Sequence, residues 1–360
     1  MNSSKLLTIG LPTYNRGFLL DHFFSNLASV ARKHREKIEI IISDNASTDQ
    51  TEEVCRRHVA DMEEEFDIRY TRNSINLGVA KNIVGLFYLG TGQFFLFIGD
   101  DDQLDQCGFD DVVAMLEASN KPSAIIQSEW PWIKKPGGPV SFKESLQMFY
   151  EYGNVWAAVV DRAAAIRGIE TRKLRNVIEQ TVWPQTVMGY LAIYDLEKES
   201  RQAHFLSKPM GRRSSQIRYS YDNTAYLRRA LMDLISVANL VDEHAGRGAV
   251  QRAILSPKSR GGVVGLLFGL AQASLVEGVV TEGRAELLAA FSASKELRTR
   301  LAAVLVHFVS RPRLVTIAFY TYGIALKRWS PTHVAKKIAR LRQTMTLHAG
   351  TKGVRQGDWF

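Results

Sequence analysis

Four short apolar runs, each followed by a stretch of helical period, dominate the first third of this sequence. The apolar runs, which we predict to be strands, are residues 5–11, 38–42, 68–71 and 94–98, and a fifth follows at 124–127. The stretches that we predict to be helices are residues 18–30, 50–62, 79–89 and 109–116. Strands that alternate with helices form a mostly parallel sheet with helices on both faces. The pattern therefore predicts an α/β fold.

Polar segments follow four of these strands, at residues 12–16, 44–49, 73–81 and 99–102. The carboxyl ends of parallel strands meet at one edge of a sheet, and α/β proteins bind their ligands at that edge. We therefore expect four loops to converge on one crevice.

Charge is distributed unevenly along the chain. Residues 1–130 hold 12 Lys and Arg against 20 Asp and Glu, whereas the remainder holds 34 against 17. Residues 297–357 contain no acidic residue and 12 basic ones. Such a tail suits an anionic surface, either lipid headgroups or nucleic acid.

The cysteine content and the N-terminus bear on the compartment. Cys55 and Cys107 are the only cysteines, so the chain cannot form a disulfide framework, and no Cys/His cluster has zinc spacing. The first residues contain no long apolar segment of the signal-peptide kind. We expect a cytoplasmic protein.

Three consecutive aspartates, Asp100, Asp101 and Asp102, follow the apolar run 94–98. Adjacent carboxylates repel each other, and a stable fold tolerates them mainly where a cation is bound. Mg²⁺ and Mn²⁺ prefer carboxylate oxygens, and such a metal can neutralise the oxygens of a diphosphate. The alternative is an exposed helix N-terminus, where the helix dipole favours aspartate.

Two other loops carry candidate binding residues. Asp44 ends the second predicted strand, where its carboxylate could accept from the N–H of a base, although an Asx turn of the same composition is common. Asn76 and Gly78 lead into a helix that carries Lys81, and a turn, a helix N-terminus and a cation together can hold phosphate or ribose. A surface loop with a solvated lysine is the alternative.

The combination and order of these motifs resembles the family 2 glycosyltransferases. The matching motifs are Pro12-Thr13-Tyr14-Asn15-Arg16, Ser43-Asp44-Asn45-Ala46-Ser47-Thr48-Asp49, Arg72-Asn73 with Asn76-Leu77-Gly78, and Thr91-Gly92 with Phe97-Ile98-Gly99-Asp100-Asp101-Asp102. The resemblance covers residues 6 to about 127. Its Gly-Asp-Asp-Asp form is most similar to the abequosyltransferase-like branch, which builds bacterial surface polysaccharides. Many members of the family have an aspartate where Gly99 stands.

The resemblance implies a GT-A fold, an inverting mechanism, a nucleotide diphosphate sugar donor and a divalent metal, Mn²⁺ or Mg²⁺. It implies that the donor is bound by Pro12, Tyr14 and Asn15 around the nucleotide, Asp44 on the base, and Asn76, Lys81, Asp100 and Asp101 on ribose or phosphate. It implies that Asp100 and Asp102 hold the metal.

Inversion by direct displacement needs a general base for the acceptor hydroxyl. Our first candidate is Glu179 and our second is Asp161, and an exposed helix carboxylate is the alternative for each. Trp183 could stack on an acceptor sugar, or it could be a core tryptophan. Arg212 and Arg213 could steady the diphosphate, or they could be a solvated charge pair.

We divide the chain into a donor-binding half at residues 1–130, an acceptor-binding half of the GT-A domain at 131–220, and a mainly helical basic extension at 221–360. No apolar run in the extension reaches the roughly 18 residues of a spanning helix. We expect the extension to contact an anionic membrane surface at the inner face of the cell membrane, with a packed helical bundle of basic exterior as the alternative. We do not expect nucleic acid as a partner.

These observations predict an enzyme that transfers a sugar from a nucleotide diphosphate to a glycan or lipid-linked acceptor in bacterial surface polysaccharide synthesis. A nucleotidyltransferase would share the metal and the nucleotide pocket, but would usually have a Gly-rich, basic loop where residues 12–16 stand. A non-catalytic binding protein of the same fold is the second alternative.

Overall fold

The structure is a computed structural model, and it describes residues 5–127, 136–152, 158–179, 184–213 and Thr332. The chain divides into two compact units after Tyr219, and all described residues except Thr332 belong to the first. Trp183 and the predicted helical extension therefore lie outside the described residues, apart from Thr332. No helix among the residues that are described has the length and apolar character needed to cross a membrane.

Ten strands and eight α-helices make up the described part of the first unit. The strands are β1 (Leu7–Thr13), β2 (Ile38–Asp44), β3 (Asp67–Arg72), β4 (Phe94–Phe97), β5 (Asp102–Leu104), β6 (Ala124–Ile126), β7 (Gly138–Val140), β8 (Ala158–Asp161), β9 (Ala203–Phe205) and β10 (Gly211–Arg213). The helices are α1 (Gly17–Ala31), α2 (Thr51–Met62), α3 (Val79–Leu89), α4 (Gln106–Glu117), α5 (Phe142–Tyr152), α6 (Arg162–Thr171), α7 (Arg175–Ile178) and α8 (Pro184–Glu197). A 3₁₀ helix, Arg32–Lys37, joins α1 to β2.

Eight strands form one mixed sheet in the order β3-β2-β1-β4-β8-β6-β9-β7. β1, β2, β3 and β4 are mutually parallel. β8 runs antiparallel to both of its neighbours, β4 and β6, so β6 again points in the direction of β4. The predicted mostly parallel sheet is confirmed. This single sheet contains strands from both the predicted donor-binding half and the predicted acceptor-binding half.

The centre of the sheet is buried on both faces, as expected for a strand whose apolar residues are continuous. All seven residues of β2 are buried. α1 packs its buried side chains, among them Phe23, Phe24 and Leu27, into the same core. This core fixes the register in which Thr13, Asp44 and Arg72 end three neighbouring strands side by side.

A second, two-stranded sheet lies beside the end of β4. β5 pairs antiparallel with β10, and Asp102 faces Arg213 across the pair. The side-chain amide of Asn26, on α1, satisfies the backbone of β5 as a neighbouring strand would. It donates to the carbonyl of Leu104 and accepts from the Leu104 N–H. β10 and Asn26 together hold β5 in place, with Asn26 bound to its last residue.

Glu39 joins strands at the opposite edge of the large sheet. Its buried carboxylate accepts from the hydroxyl of Thr8, from the backbone N–H groups of Thr91 and Gly92, and from Arg69 at 2.7 Å. A Cβ at Gly92 would lie 2.6 Å from the Thr8 nitrogen, so only glycine fits there. The Thr91-Gly92 motif therefore closes the α3–β4 turn onto the first two strands.

We predict that Glu39→Gln lowers the free energy of unfolding by about 1–3 kcal/mol at pH 7, because one buried acceptor is replaced by a donor. Burial alone would raise the pKa of Glu39, but its hydrogen bonds outweigh burial and lower it. A lowered pKa means that the carboxylate stabilises the fold above its unfolded-state pKa, about 4.3, and that this stabilisation is lost as the pH falls through the folded-state pKa.

Urea unfolding of the wild type and the variant, from pH 7 down to pH 3, tests this prediction. The difference between the two proteins should shrink at the acid end. Glu36→Gln is the control, because the Glu36 side chain is 85% exposed. A Glu39→Gln effect as small as that of the control, or one that does not change with pH, contradicts the assignment.

Candidate functional site

The loops that follow β1 and β2 are tied together at the carboxyl edge of the sheet. Asn15 has a positive φ of 52°, a conformation that asparagine adopts more readily than most residues. Its N–H donates to the Ser47 hydroxyl at 2.9 Å, and its side-chain oxygen accepts from the Thr48 N–H at 2.8 Å. Tyr14, the residue before it, is 40% exposed. Asn15 thus holds a turn that presents the Tyr14 ring to solvent.

Asp44 lies behind these loops and is fully buried. One of its oxygens accepts from the N–H and the hydroxyl of Ser47, and the other accepts from the Tyr70 hydroxyl at 2.8 Å and lies 3.5 Å from Arg72. The carboxylate therefore stabilises the β2 loop and the end of β3. The predicted contact of Asp44 with a base stays a prediction, and it requires a change in these contacts.

Asparagine side chains position the loop between β3 and α3. The Asn45 amide donates to the side-chain oxygen of Asn76 at 2.7 Å, and its own oxygen accepts from the Leu77 N–H at 2.9 Å. The Asn76 oxygen also accepts from the N–H of Gly78, whose φ is 82°. Asn76 is thus engaged within the loop, whereas Lys81, in the first turn of α3, is exposed.

Gly99 allows the aspartate turn to close on itself. The Gly99 N–H donates to an Asp102 carboxylate oxygen at 2.9 Å, and the Asp102 N–H donates back to the Gly99 carbonyl at 3.1 Å. A Cβ at residue 99 would lie 2.8 Å from carboxylate oxygens of both Asp101 and Asp102. An aspartate here, as in many family members, would have to displace both carboxylates.

Asp100 is the aspartate that faces the β1 loop. Its carboxylate accepts from the Thr13 hydroxyl at 3.0 Å and lies 3.7 Å from the Arg16 guanidinium. Burial, opposed by Arg16 and reinforced by the Asp101 carboxylate, raises the pKa of Asp100 to about 7. A carboxyl group with these surroundings would gain from a nearby cation.

The predicted basic pair lies next to the aspartates. Arg212 and Arg213 belong to β10, which pairs with β5, and Arg212 is exposed. Two hydrogen bonds hold Met210, just before β10, in place. The Asp105 N–H donates to the Met210 carbonyl, and the Met210 N–H donates to the side-chain oxygen of Gln127. The fold therefore brings residues more than 100 positions apart in sequence to one edge.

The carboxylates fit a metal that is shared with a ligand. Among the residues described, no three or more His, Cys, Asp or Glu side chains are grouped so as to hold a metal ion by themselves. Mg²⁺ usually binds through one or two carboxylates and takes its other ligands from water and phosphate oxygens. Asp100 and Asp102 suit that kind of site, which a diphosphate would complete.

The structure does not support Asp161 as a catalytic base. Asp161 pairs with Phe94, the first residue of β4, so it lies at the end of β4 opposite to Asp100. Its buried carboxylate accepts from the Ala164 N–H, which caps α6, and forms an ion pair with Arg201 at 2.9 Å. The catalytic role of Asp161 stays a prediction, and these contacts argue against it. The direction of β8, which determines them, could not be inferred from the sequence.

Glu179 is also placed away from the aspartates. It follows α7 and forms an ion pair with Arg175 at 2.9 Å. The Arg175 guanidinium lies 4.6 Å from the ring centre of Tyr88, near the end of α3. Helix α3 begins at the carboxyl edge of the sheet and runs away from it. The contact near its end therefore places Glu179 toward the opposite edge of the sheet.

Sequence reasoning missed the residues that support the site. Thr13, Asn26 and Gln127 bind Asp100, Leu104 and Met210 respectively, and each contact spans at least 78 positions in sequence. Their position in the sequence was the signal that could have found two of them. Thr13 follows a predicted strand and Gln127 ends one, which places both at the carboxyl edge of the sheet.

Comparisons with known proteins agree with this architecture. Residues 8–157 match the model of the family described as Glycosyl transferase family 2. Abequosyltransferase RfbV from Salmonella typhimurium is 39% identical over 99 residues, and the aligned stretch covers 28% of this chain and 29% of that relative. The alignment thus spans less than a third of the relative's length.

Solved structures show the same fold. S. aureus TarS 1-349 in complex with UDP-GlcNAc has a TM-score of 0.59 at 14% identity, covering 88% of this chain and 92% of that chain. The mannosyltransferase PcManGT from Pyrobaculum calidifontis, in complex with GDP-Man and Mn²⁺, has a TM-score of 0.50 at 16% identity, covering 96% and 85%. The GT-A fold is confirmed. Residues 8–157 thus match glycosyl transferase family 2, and part of the chain is similar in sequence to an abequosyltransferase.

Proposed function

We propose that this protein is an inverting, metal-dependent glycosyltransferase that takes its sugar from a nucleotide diphosphate donor. The observation that carries the proposal is the contact between loops at one edge of the sheet, where Asp100 meets Thr13 and Arg16, and β10 places Arg213 opposite Asp102. Carboxylates for a metal and guanidinium groups for phosphates are the two chemistries that a metal-bound diphosphate needs.

The donor-binding residues outside the aspartate turn keep their proposed roles, and Asp101 stays a proposed contact to ribose or phosphate. The exposed Tyr14 ring is available to stack on a base, with Pro12 near it in sequence, and Asp44 is buried behind the same loops. Asn15 and Asn76 position their loops, and the exposed Lys81 is available to a phosphate. Arg212 and Arg213 steady the diphosphate from β10.

A bound Mn²⁺ or Mg²⁺ would neutralise the charge that builds on the departing nucleotide diphosphate. The chain's own part is to hold the carboxylates of Asp100 and Asp102 at the carboxyl end of β4, through Thr13 and the Gly99 turn. The solved relative with GDP-Man and Mn²⁺ supports a divalent metal at this kind of site.

The acceptor is proposed to be a glycan or lipid-linked sugar in bacterial surface polysaccharide synthesis. The support is the similarity to an abequosyltransferase, together with the basic residues of 297–357. We propose that this basic segment contacts an anionic membrane surface at the cytoplasmic face, and that Trp183 stacks on the acceptor.

Thermal unfolding of the full chain against UDP, GDP, CDP and dTDP, each with and without Mn²⁺, tests the donor site. We predict a rise in Tm of about 5 °C at a ligand concentration 100-fold above Kd, for one nucleotide and only with the metal. Asp100→Asn should abolish the metal-dependent part of the rise, because a neutral amide binds Mn²⁺ far less well than a carboxylate.

Asp67→Asn is the control for charge, because Asp67 pairs with Lys5 and opens β3 at the opposite edge. This variant should keep the full rise in Tm. A wild-type protein that responds to no nucleotide with Mn²⁺ would favour the non-catalytic alternative, and an undiminished metal-dependent rise in Asp100→Asn would place the metal elsewhere.

The contacts of Asp161 and Glu179 predict different consequences for their neutral variants. Asp161→Asn should lower the free energy of unfolding by about 3 kcal/mol, because it leaves Arg201 without its buried partner. Glu179→Gln should change stability by less than about 0.5 kcal/mol, since it loses one helical i,i+4 pair. Urea unfolding checks both values.

Sugar transfer should persist in both variants once the folded fraction is taken into account. A Glu179→Gln protein that is as stable as the wild type and transfers no sugar would restore Glu179 as the base and contradict its position here.

A further inference from the structure

A small cavity lies at the edge of the large sheet that is opposite to the aspartates. Its volume is about 200 Å³, and its lining residues belong to α5, α8, the α8–β9 turn and the starts of β6 and β9. β6 and β9 run in the direction of β4, so they begin at the amino edge of the sheet. The cavity is therefore separate from the proposed donor site.

The size of the cavity limits what it can hold. It is far larger than the space that one water molecule needs, but smaller than the roughly 300–1,000 Å³ of sites for drug-sized ligands. A ligand of about one sugar ring fits this range.

The floor of the cavity carries a polar group that the protein leaves unsatisfied. Ser123 is 0% exposed, and its hydroxyl has no hydrogen-bond partner among the residues that the structure describes. The Ser123 backbone is fixed, because its N–H donates to the Gln202 carbonyl at 3.0 Å and its carbonyl accepts from the Asp161 N–H at 3.2 Å. Buried hydroxyls are nearly always hydrogen-bonded, so this one indicates a bound water or ligand.

The mouth of the cavity holds a residue that the local backbone does not favour. At the end of α8 the Ser200 N–H donates to the Glu197 carbonyl, and the Arg201 N–H donates to the Leu196 carbonyl. This is the Schellman pattern, in which the residue of positive φ is usually glycine. Here that residue is Ser200, with a φ of 58°, and it is exposed at the cavity. Departures from local preference are expected where function requires the side chain.

Arg201 adds directed donors to the cavity wall. Its Nε donates to the Lys121 carbonyl at 3.0 Å, and its Nη2 donates to the Pro122 carbonyl at 2.8 Å and pairs with Asp161 at 2.9 Å. These contacts fix the guanidinium without using Nη1. A polar group that is already held in place costs little to order when a ligand binds.

The mixture of lining groups favours a neutral ligand with several hydroxyl groups. Glu197 lines the cavity together with Arg201, so an anion would meet a carboxylate and a cation would meet a guanidinium. A hydroxyl group can donate to the first and accept from the second. Phe142 and Ile193 supply apolar surface that can cover the C–H groups of a sugar ring.

We propose that this cavity binds one neutral sugar unit of the glycan that the enzyme extends, as a second carbohydrate site away from the site of transfer. Ser123 contacts the sugar at the floor and Ser200 contacts it at the mouth. Holding the glycan at a second point raises the effective concentration of its growing end at the transfer site. The identity of the ligand rests on the proposed function.

The experiment titrates the full chain with the methyl glycosides of glucose, galactose, mannose and rhamnose, and detects binding by saturation-transfer difference NMR. The variants are Ser123→Ala and Ser200→Gly, and thermal unfolding of each protein is measured without sugar. Ser207→Ala is the control, because Ser207 is exposed and lies beyond the other end of β9.

We expect Ser123→Ala to bind at least one of the four glycosides about fivefold more weakly than the wild type, since one hydrogen bond is lost. Ser200→Gly should bind the same glycoside more weakly by about twofold or more, as an exposed hydroxyl contributes less. Both variants should have a Tm equal to or above that of the wild type. The first loses an unsatisfied buried hydroxyl, and the second places glycine at a positive φ. Ser207→Ala should match the wild type in both measurements.

Weaker sugar binding in a protein of undiminished stability is the decisive result, because damage to the fold would lower both. If a glycoside binds the wild type and both cavity variants equally, the sugar is bound elsewhere and the inference is refuted. If none of the four binds, the cavity holds water only and the inference is again refuted. Neither result touches the proposed function, which depends on the response to nucleotide and Mn²⁺. A glycoside that requires Ser123, in a protein that responds to no nucleotide with Mn²⁺, would overturn the proposed function and leave the cavity as a sugar site.

Discussion

The buried carboxylate of Asp44 is the interaction on which the arrangement of the site depends. It binds Ser47 in its own loop and Tyr70 and Arg72 on the neighbouring strand, and Ser47 in turn accepts from Asn15 in the β1 loop. A buried carboxylate is stable only when its oxygens are satisfied, so these partners are held together by the cost of leaving it unpaired. Three strand ends are thereby fixed at one edge.

Because the loops are fixed, the charged side chains near them, Asp100 and Asp102, are held in place for a ligand. Asp100 lies against Thr13, which ends β1, and Asp102 is held by the Gly99 turn and paired through β5 with β10. Because residues at the ends of rigid strands carry these groups, little reorganisation is needed when a ligand arrives.

The sequence was informative where structure is local. The predicted strands at 38–42 and 94–98 and the helices at 50–62 and 79–89 agree with β2, β4, α2 and α3 to within two residues, because apolar periodicity and turn residues determine them. The strands β5, β8 and β10 were not predicted, since each has three or four residues and forms only through pairing with a distant strand. The contacts of Asp161 could not be predicted for the same reason, because the surroundings of that carboxylate depend on which way β8 runs.

The most direct test of the account is the location of Mn²⁺ in crystals of the full chain grown with the nucleoside diphosphate that raises its Tm most. An anomalous difference map at the manganese absorption edge would show the metal directly. We expect one peak within bonding distance of an Asp100 or Asp102 carboxylate oxygen and of the diphosphate. A bound nucleotide with no such peak, or with a peak away from both aspartates, would contradict it.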